Sequence, residues 1–429
     1  MQPHSLFTLT PLLKQVIRFA TLLPILAMSG PASGSVDLHN HAFMKQGMQY
    51  GFTGDFDEPL RTSHYKDRFR SAVNRETLEH SDLELMVISL YAHPILGKRD
   101  LRQSIREQIE RVRKWTAATQ GSARPWTLAR SAAQAREILA AGGHAVILSL
   151  EGADGILDTV EDLEEFIDGA GIRLVTLLHL IDDQYGGVAF LRGVRALASP
   201  IAFAREFLKG GFFGGVPLNS AGLSEKGAAL ATQLMKRGVW IDYAHASDAS
   251  AQGLYPLSLK FKQPILNTHT TLRRYLGAER GVSDQQLQWI KESQGIIGLV
   301  PSEEFLEGTP NTQPDCHEGI SRYVLQWKEV ARRVGFERVF LGSDFNGGIP
   351  HLAPDCASPS STSAGPARLF PTGMYRVDQL PALFQAIAAE TSGSAALASP
   401  GPSNEKSLLA RTQLETFLTA WAKVEKTPY

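Results

Sequence analysis

A chain of 429 residues, 43% hydrophobic and 20% charged, with a formal net charge of −1, has the make-up of a soluble globular protein. Its size buries a core without help from disulfides or a structural metal. The near-neutral balance, with no long run of one sign, excludes the basic footprint of a nucleic-acid binder. Two cysteines, Cys316 and Cys356, exclude a disulfide framework and a cysteine zinc cluster, leaving at most one bridge in an oxidising compartment.

The chain opens with a weakly basic stretch holding Lys14 and Arg18, an apolar run from Phe19 to Met28, and small residues from Ser29 to Ser35. That order is the order of a secretory signal. The apolar run is too short for the roughly 20 residues that span a bilayer. Residues 1–35 are therefore expected to be a signal peptide or N-terminal extension, and the mature protein to be exported to the periplasm or beyond the cell. A cytoplasmic protein whose first residues cover the floor of the fold is the alternative.

Short apolar runs bounded by turns follow at Val36–Leu38, Leu85–Leu90, Ala145–Leu150, Arg173–Leu178, Val239–Tyr243, Pro264–Asn267, Ile296–Val300 and Val339–Gly342. Between them lie stretches of helical period, including Leu101–Thr116, Glu225–Arg237 and Ile320–Val334, and Glu405–Val424 closes the chain. Runs that are apolar along their whole length suit parallel strands covered on both faces, and eight such units close as an α/β, (β/α)8 TIM barrel over residues 36–429. Stretches 186–222 and 347–371, rich in Gly or Pro, read as long loops over the strand ends, and 391–403 reads as a linker.

Imidazoles and carboxylates fall at the C-terminal ends of these runs, the rim where barrel enzymes keep their active sites. His39 and His41 follow the first strand; residues two apart in an extended segment point the same way, so both can face one ion. Glu151 follows the third strand, His179 the fourth, His245 the fifth, His269 the sixth and Asp344 the eighth. Singly, each is more often a hydrogen-bonded core residue. Together at one rim, they point to a metal centre.

The residues around these positions resemble the membrane (renal) dipeptidase family of the amidohydrolase superfamily. The resemblance is carried by Ser149-Leu150-Glu151-Gly152, by Leu174-Val175-Thr176-Leu177-Leu178-His179, and by Gly222-Leu223-Ser224 through Ile241-Asp242-Tyr243-Ala244-His245-Ala246-Ser247. Thr268-His269-Thr270 and Gly342-Ser343-Asp344-Phe345 complete it. It runs in order from about Val36 to Gly347 and fades over 48–69 and 191–216. Two positions depart from the family: His41 stands where His-x-Asp is usual, and Asn346 stands where Asp usually follows Asp-Phe.

What the resemblance implies is a binuclear zinc dipeptidase with the amidohydrolase barrel. His39, His41 and Glu151 would hold one zinc ion and Glu151, His245 and His269 the other, with Glu151 bridging the two. Ligands of this N and O type also accept other divalent transition metals. Asp344, counted with the metal site at its edge, would orient an attacking water, take its proton and pass it to the leaving amine. His179 would bind substrate and stabilise the carbonyl oxygen as it becomes an oxyanion. Arg280, eleven residues after His269, resembles the family's arginine for the substrate's terminal carboxylate, which a guanidinium pairs bidentately. Tyr91 and His93 would stand in the pocket wall.

The expected partner is a small dipeptide, including those with a C-terminal D-residue, and the resemblance implies a homodimer. Two other readings remain open at this point. One is a related amidohydrolase acting on N-acyl amino acids or lactones, supported by His41; the other is a non-catalytic binding protein on the same barrel, against which the presence of Asp344 argues.

Overall fold

The computed structural model describes residues 35–48, 54–60, 62–93, 97, 100–192, 197, 199–209, 215–306, 319–354, 370–391 and 403–426. The expected leader, apart from Ser35, and both cysteines lie outside the described residues, as do most of 347–371 and the linker at 391–403.

Among the described residues nine strands form one sheet: β1 (Ser35–Asn40), β2 (Leu83–Tyr91), β3 (Trp126–Leu128), β4 (His144–Glu151), β5 (Ile172–Thr176), β6 (Trp240–Asp242), β7 (Leu266–Thr270), β8 (Ile296–Leu299) and β9 (Val339–Leu341). Every pairing is parallel. Strand β2 pairs with both β1 and β4, and β9 returns to β1, so eight strands close into a barrel and β3 stands outside the ring. Strand β3 was not expected from the sequence. It takes the first half of the β4 edge, pairing Trp126 with His144 through Leu128 with Val146, while β5 takes the second half of that edge from Leu148 onward.

Alternation along the strands explains why the runs are apolar throughout. Val36, Leu38, Leu85, Val87, Ala145, Ile147, Leu174, Trp240, Leu266, Ile296 and Phe340 form one buried cluster drawn from all eight ring strands, which is the filling of the barrel. Their neighbours Met86, Ile88, Val146, Leu148, Val175, Ile241 and Ile297 pack in a second cluster with the surrounding helices. The floor is closed by the last helix, whose Phe417, Leu418 and Trp421 join the filling.

The longer helices that position the site are α1 (Leu101–Ala118), α2 (Pro200–Leu208), α3 (Glu225–Lys236), α4 (Asp248–Lys260), α5 (Asp284–Glu292), α6 (Gly319–Val334) and α7 (Ser403–Glu425). The four expected from periodicity are α1, α3, α6 and α7, within two residues at each end; α2 corrects the reading of 186–222 as loop throughout. Serine caps start three helices immediately beyond site segments, with the Ser224, Ser247 and Ser283 side chains accepting backbone N–H bonds. Among the described residues no helix is long and apolar enough to cross a membrane.

Candidate active site at the C-terminal end of the barrel

Going up the barrel from the apolar filling, the inward positions become polar: Ser89 on β2, Ser149 on β4, Thr176 on β5, Asp242 on β6 and Thr268 on β7, each two residues beyond a filling residue and each buried. One more step up β4 is Glu151, its last residue, which the same alternation aims into the barrel. His39 and His269 occupy the opposite parity on β1 and β7. They still reach the centre, because the pairing register shifts between Asp37 and Asn40 and again between Asn267 and Thr270.

Five imidazoles surround Glu151. Its Oε1 lies 3.5 Å from His39 Nε2 and 3.3 Å from Nε2 of both His245 and His269, and its Oε2 lies 3.2 Å from His41 Nε2 and 3.5 Å from His179 Nε2. Asp344 Oδ1 stands 3.3 Å from His41 Nε2. Every metal and proton-transfer residue expected from the sequence is thus within one cluster.

Two of these residues sit in strained backbone. His245 has φ 65° and Asp344 φ 53°, left-handed conformations that cost a side-chain-bearing residue on the order of 1–3 kcal/mol. Surrounding bonds hold them there. Ala189 donates its N–H to the His245 carbonyl at 2.8 Å; Asp344 donates to the His39 carbonyl at 2.9 Å and accepts from Gly347 at 2.9 Å. Gly347 cannot be replaced without movement, since a Cβ there would collide with Asp344 Oδ1. The buried Asp37 anchors this corner, accepting from Ser343 N at 2.9 Å and Ser343 Oγ at 2.6 Å, which ties the β9 end to β1. Asn346 faces away toward the Ala72 N–H, 2.8 Å from its Oδ1, and so supports the loop rather than the cluster.

The electrostatics suit a cation. Burial pushes His39 down to about 3 and His179 to about 4, and holds His245 and His269 well below the usual histidine range, so these rings are neutral with a lone pair to offer. Burial works against ionisation of Glu151, but the surrounding imidazoles, His179 and His39 first, hold its carboxyl well below the usual range. For His41, burial is outweighed by the hydrogen bond and charge of Glu151 and the charge of Asp344, and its pKa is raised. Burial lifts Asp344 to about 7 and raises Asp242.

Bare Nε2 atoms 2.9 Å apart, as in His245 and His269, repel unless a proton or a cation lies between them. Among the described residues Glu151 Oε1 also has no hydrogen-bond donor. Three overlapping groups bring ligand atoms within 4.8 Å of one another: His39, Glu151 and His269; His39, His41 and Asp344; Glu151, His179 and His245. Imidazole and carboxylate without thiolate fit divalent ions of the zinc, cobalt or manganese kind.

Arg280 enters the cluster from beyond β7. It is buried, its Nη2 donates to the His269 carbonyl at 2.8 Å and lies 3.1 Å from His245 Nε2, and its Nε has no partner among the described residues. Its guanidinium also stands over the Phe305 ring at 5.7 Å. Tyr91 packs edge-on against His179 with centroids 4.4 Å apart, and His93 lies 6.0 Å from Tyr91. The polar layer below the ligands had no role in the sequence reading; the signal that could have found it is its inward parity.

A family model described as membrane dipeptidase, peptidase family M19, matches residues 31–355. The chain belongs to the membrane dipeptidase family. Among curated proteins it is similar to Dipeptidase ataJ of Aspergillus terreus, 27% identical over 220 residues that make up 51% of this chain and 50% of that protein. An uncharacterized dipeptidase of Schizosaccharomyces pombe, C965.12, is 24% identical over 48% of this chain and 42% of its own. The chain thus spans about half the length of the curated relatives it matches.

Among solved structures, the metallo peptidase of Rhodobacter sphaeroides liganded with a phosphinate mimic of the dipeptide L-Ala-D-Ala is similar with TM-score 0.62 at 18% identity, covering 92% of this chain and 99% of that one. The probable dipeptidase PvdM of Pseudomonas aeruginosa is similar with TM-score 0.62 at 16% identity, covering 97% and 100%. At these identities the likenesses establish that this membrane dipeptidase family member shares their barrel fold.

Proposed function

We propose that the protein is a metal-dependent dipeptidase that hydrolyses the single peptide bond of free dipeptides, those with a C-terminal D-residue included. The observation that carries this reading is Glu151 at the centre of five imidazole Nε2 atoms with Asp344 at their edge. His39, His41, Glu151, His245 and His269 would hold two divalent ions, zinc first among them, with Glu151 shared. When bound, such ions supply Lewis acidity to the scissile carbonyl and to an attacking water.

The chain's own residues do the remainder. Asp344, lifted by burial to about 7, is poised to take a proton from water near neutral pH and return it to the departing amine. His179, with Nε2 3.5 Å from Glu151 Oε2, donates to the carbonyl oxygen as negative charge develops there. Arg280 offers a buried guanidinium to the substrate's C-terminal carboxylate. The L-Ala-D-Ala mimic in the Rhodobacter sphaeroides protein supports including D-residues at the second position.

A second reading, hydrolysis of N-acyl amino acids or lactones, is favoured by one observation, that His41 occupies the cluster where the family pattern has Asp. The deciding experiment is hydrolysis of a mixed library of L,L and L,D dipeptides by purified, metal-loaded protein, with an N-acyl amino acid and lactone panel alongside. Chelator-sensitive cleavage of dipeptides is expected. Turnover confined to the second panel would replace the dipeptidase reading, and turnover of neither would favour a binding protein.

A further inference from the structure

One hydroxyl in the polar layer touches two of the imidazoles at once. Thr268 Oγ1 lies 2.9 Å from His269 Nδ1 and 3.3 Å from His39 Nδ1, and 2.6 Å from Asp242 Oδ2. Asp242 is in turn fully occupied. Its Oδ2 also accepts from Thr176 Oγ1 at 2.6 Å, and its Oδ1 accepts from the N–H groups of Ala244 at 3.0 Å and Thr268 at 2.9 Å. Four donors converge on this buried side chain, which makes it an acceptor at both oxygens, a carboxylate.

A hydroxyl carries one proton and two lone pairs. A short bond to a carboxylate is about twice as strong as one to a neutral acceptor, so the Thr268 proton goes to Asp242. Only acceptor capacity then remains toward the two rings. Both His39 and His269 must therefore carry their proton on Nδ1, which leaves Nε2 bare toward Glu151. The opposite rotor of Thr268 would donate to one ring Nδ1, move that ring's proton to Nε2, and turn an N–H that no cation can use into the centre of the cluster.

We propose that Asp242 and Thr268 form a tautomer-setting relay, in which one hydroxyl fixes the metal-binding form of His39 and His269 together. The relay rests on the reading that these rings hold metal, and it adds what that reading lacks: a reason for both to present the same nitrogen. Because β6 and β7 carry the two partners on rigid strands, a defect in either is felt by both rings at once. Thr268 and Asp242 are positioning residues, acting through the imidazoles rather than on substrate.

The test uses the full chain and reads proton position and zinc affinity separately. In long-range 15N–1H spectra of the metal-free protein, His39 and His269 are expected as Nδ1–H tautomers; Nε2–H for both would overturn the relay whether or not the protein binds metal. Thr268→Val, which keeps shape and removes the hydroxyl, is expected to lower zinc affinity 10–100-fold in chelator competition, and Thr268→Ser to restore it. Asp242→Asn, which turns a donor toward Thr268 and frees its proton for a ring, covers the case of a poorly folding valine variant and is expected to mix the tautomers. Unchanged zinc affinity and tautomers in these variants would reduce the pair to packing. A wild-type chain that takes up no zinc while showing the Nδ1–H form would instead remove the metallopeptidase reading and leave the relay standing.

Discussion

Nε2 of His41 lies between two carboxylates, 3.2 Å from Glu151 Oε2 and 3.3 Å from Asp344 Oδ1. That placement gives the departure from His-x-Asp a physical meaning. An imidazole there separates two negative groups, and both raise its pKa against the effect of burial. A carboxylate in its place would add a third negative group beside the other two. His41→Asp is therefore expected to destabilise the metal-free protein by a few kcal/mol, from like-charge repulsion at low effective dielectric. It should at the same time raise divalent-metal affinity about tenfold or more. Thermal melts with and without chelator check both signs: the gap between the two melting temperatures should widen in the variant, and an equal or narrower gap would show that charge at position 41 does not set metal affinity.

Asp344 is held by its strained backbone and by Gly347 with its carboxylate at the edge of the cluster, not at its centre. Removal of its charge should therefore leave most of the ligand set intact. Asp344→Asn is expected to keep bound metal, by elemental analysis, while kcat falls on the order of 10²–10⁴-fold, the range for loss of a general acid–base group. A fully active variant would take Asp344 out of the proton path.

The barrel was legible because parallel strands covered on both faces are apolar at every position, so eight runs such as Leu85–Leu90 and Ala145–Leu150 stand out without any model of the fold. Strand β3 was not, because three residues, Trp126–Leu128, paired along half of one edge of β4, carry no period of their own. Helix α2 was hidden by the Gly-rich sequence on either side of it. The ligands were legible from their place just past the apolar runs. Their support was less so: Thr268 and Asp242 look like ordinary strand residues until the parity of Leu266 and Trp240 shows that they point inward. The left-handed turns at His245 and Asp344 left no mark either, since neither residue is a glycine, the one type that adopts such a conformation freely.

His351 gives the fold an acid-sensitive point outside the metal cluster. Burial pushes it down to about 4, its Nδ1 has no partner among the described residues, and its ring packs 5.1 Å from Phe345. Its backbone joins three segments, donating to the Tyr65 carbonyl at 2.7 Å and accepting from Glu303. A folded-state pKa below the unfolded 6.5 means that the unfolded chain binds the proton more readily. The stability it contributes is complete above pH 6.5 and is lost as pH falls through about 4. His351→Phe, similar in size and unable to protonate, should flatten the fall in unfolding free energy over that window by up to about 3 kcal/mol. Denaturant titrations at pH 7 and pH 4.5 check it; parallel pH slopes in variant and wild type would show that the ring is not buried neutral in solution.

Among the described residues Arg280 is the guanidinium that reaches the cluster, with an Nε that none of them satisfies. A buried guanidinium with an unfilled donor stands ready for an anion, and the anion a free dipeptide always carries is its C-terminal carboxylate. Arg280→Met should accordingly lower kcat/KM for free dipeptides far more than for dipeptide amides, which have no anionic end to pair. A charge-assisted hydrogen bond contributes about 1.5–3 kcal/mol, or roughly 10–150-fold in kcat/KM if it persists in the transition state. Lysine at this position should restore only part of the loss, since a point charge cannot supply the two parallel bonds of the planar fork. The bond from Nη2 to the His269 carbonyl gives the alternative its own signature. If Arg280 serves only to hold β7, acid and amide substrates should suffer equally, and metal content should fall with them.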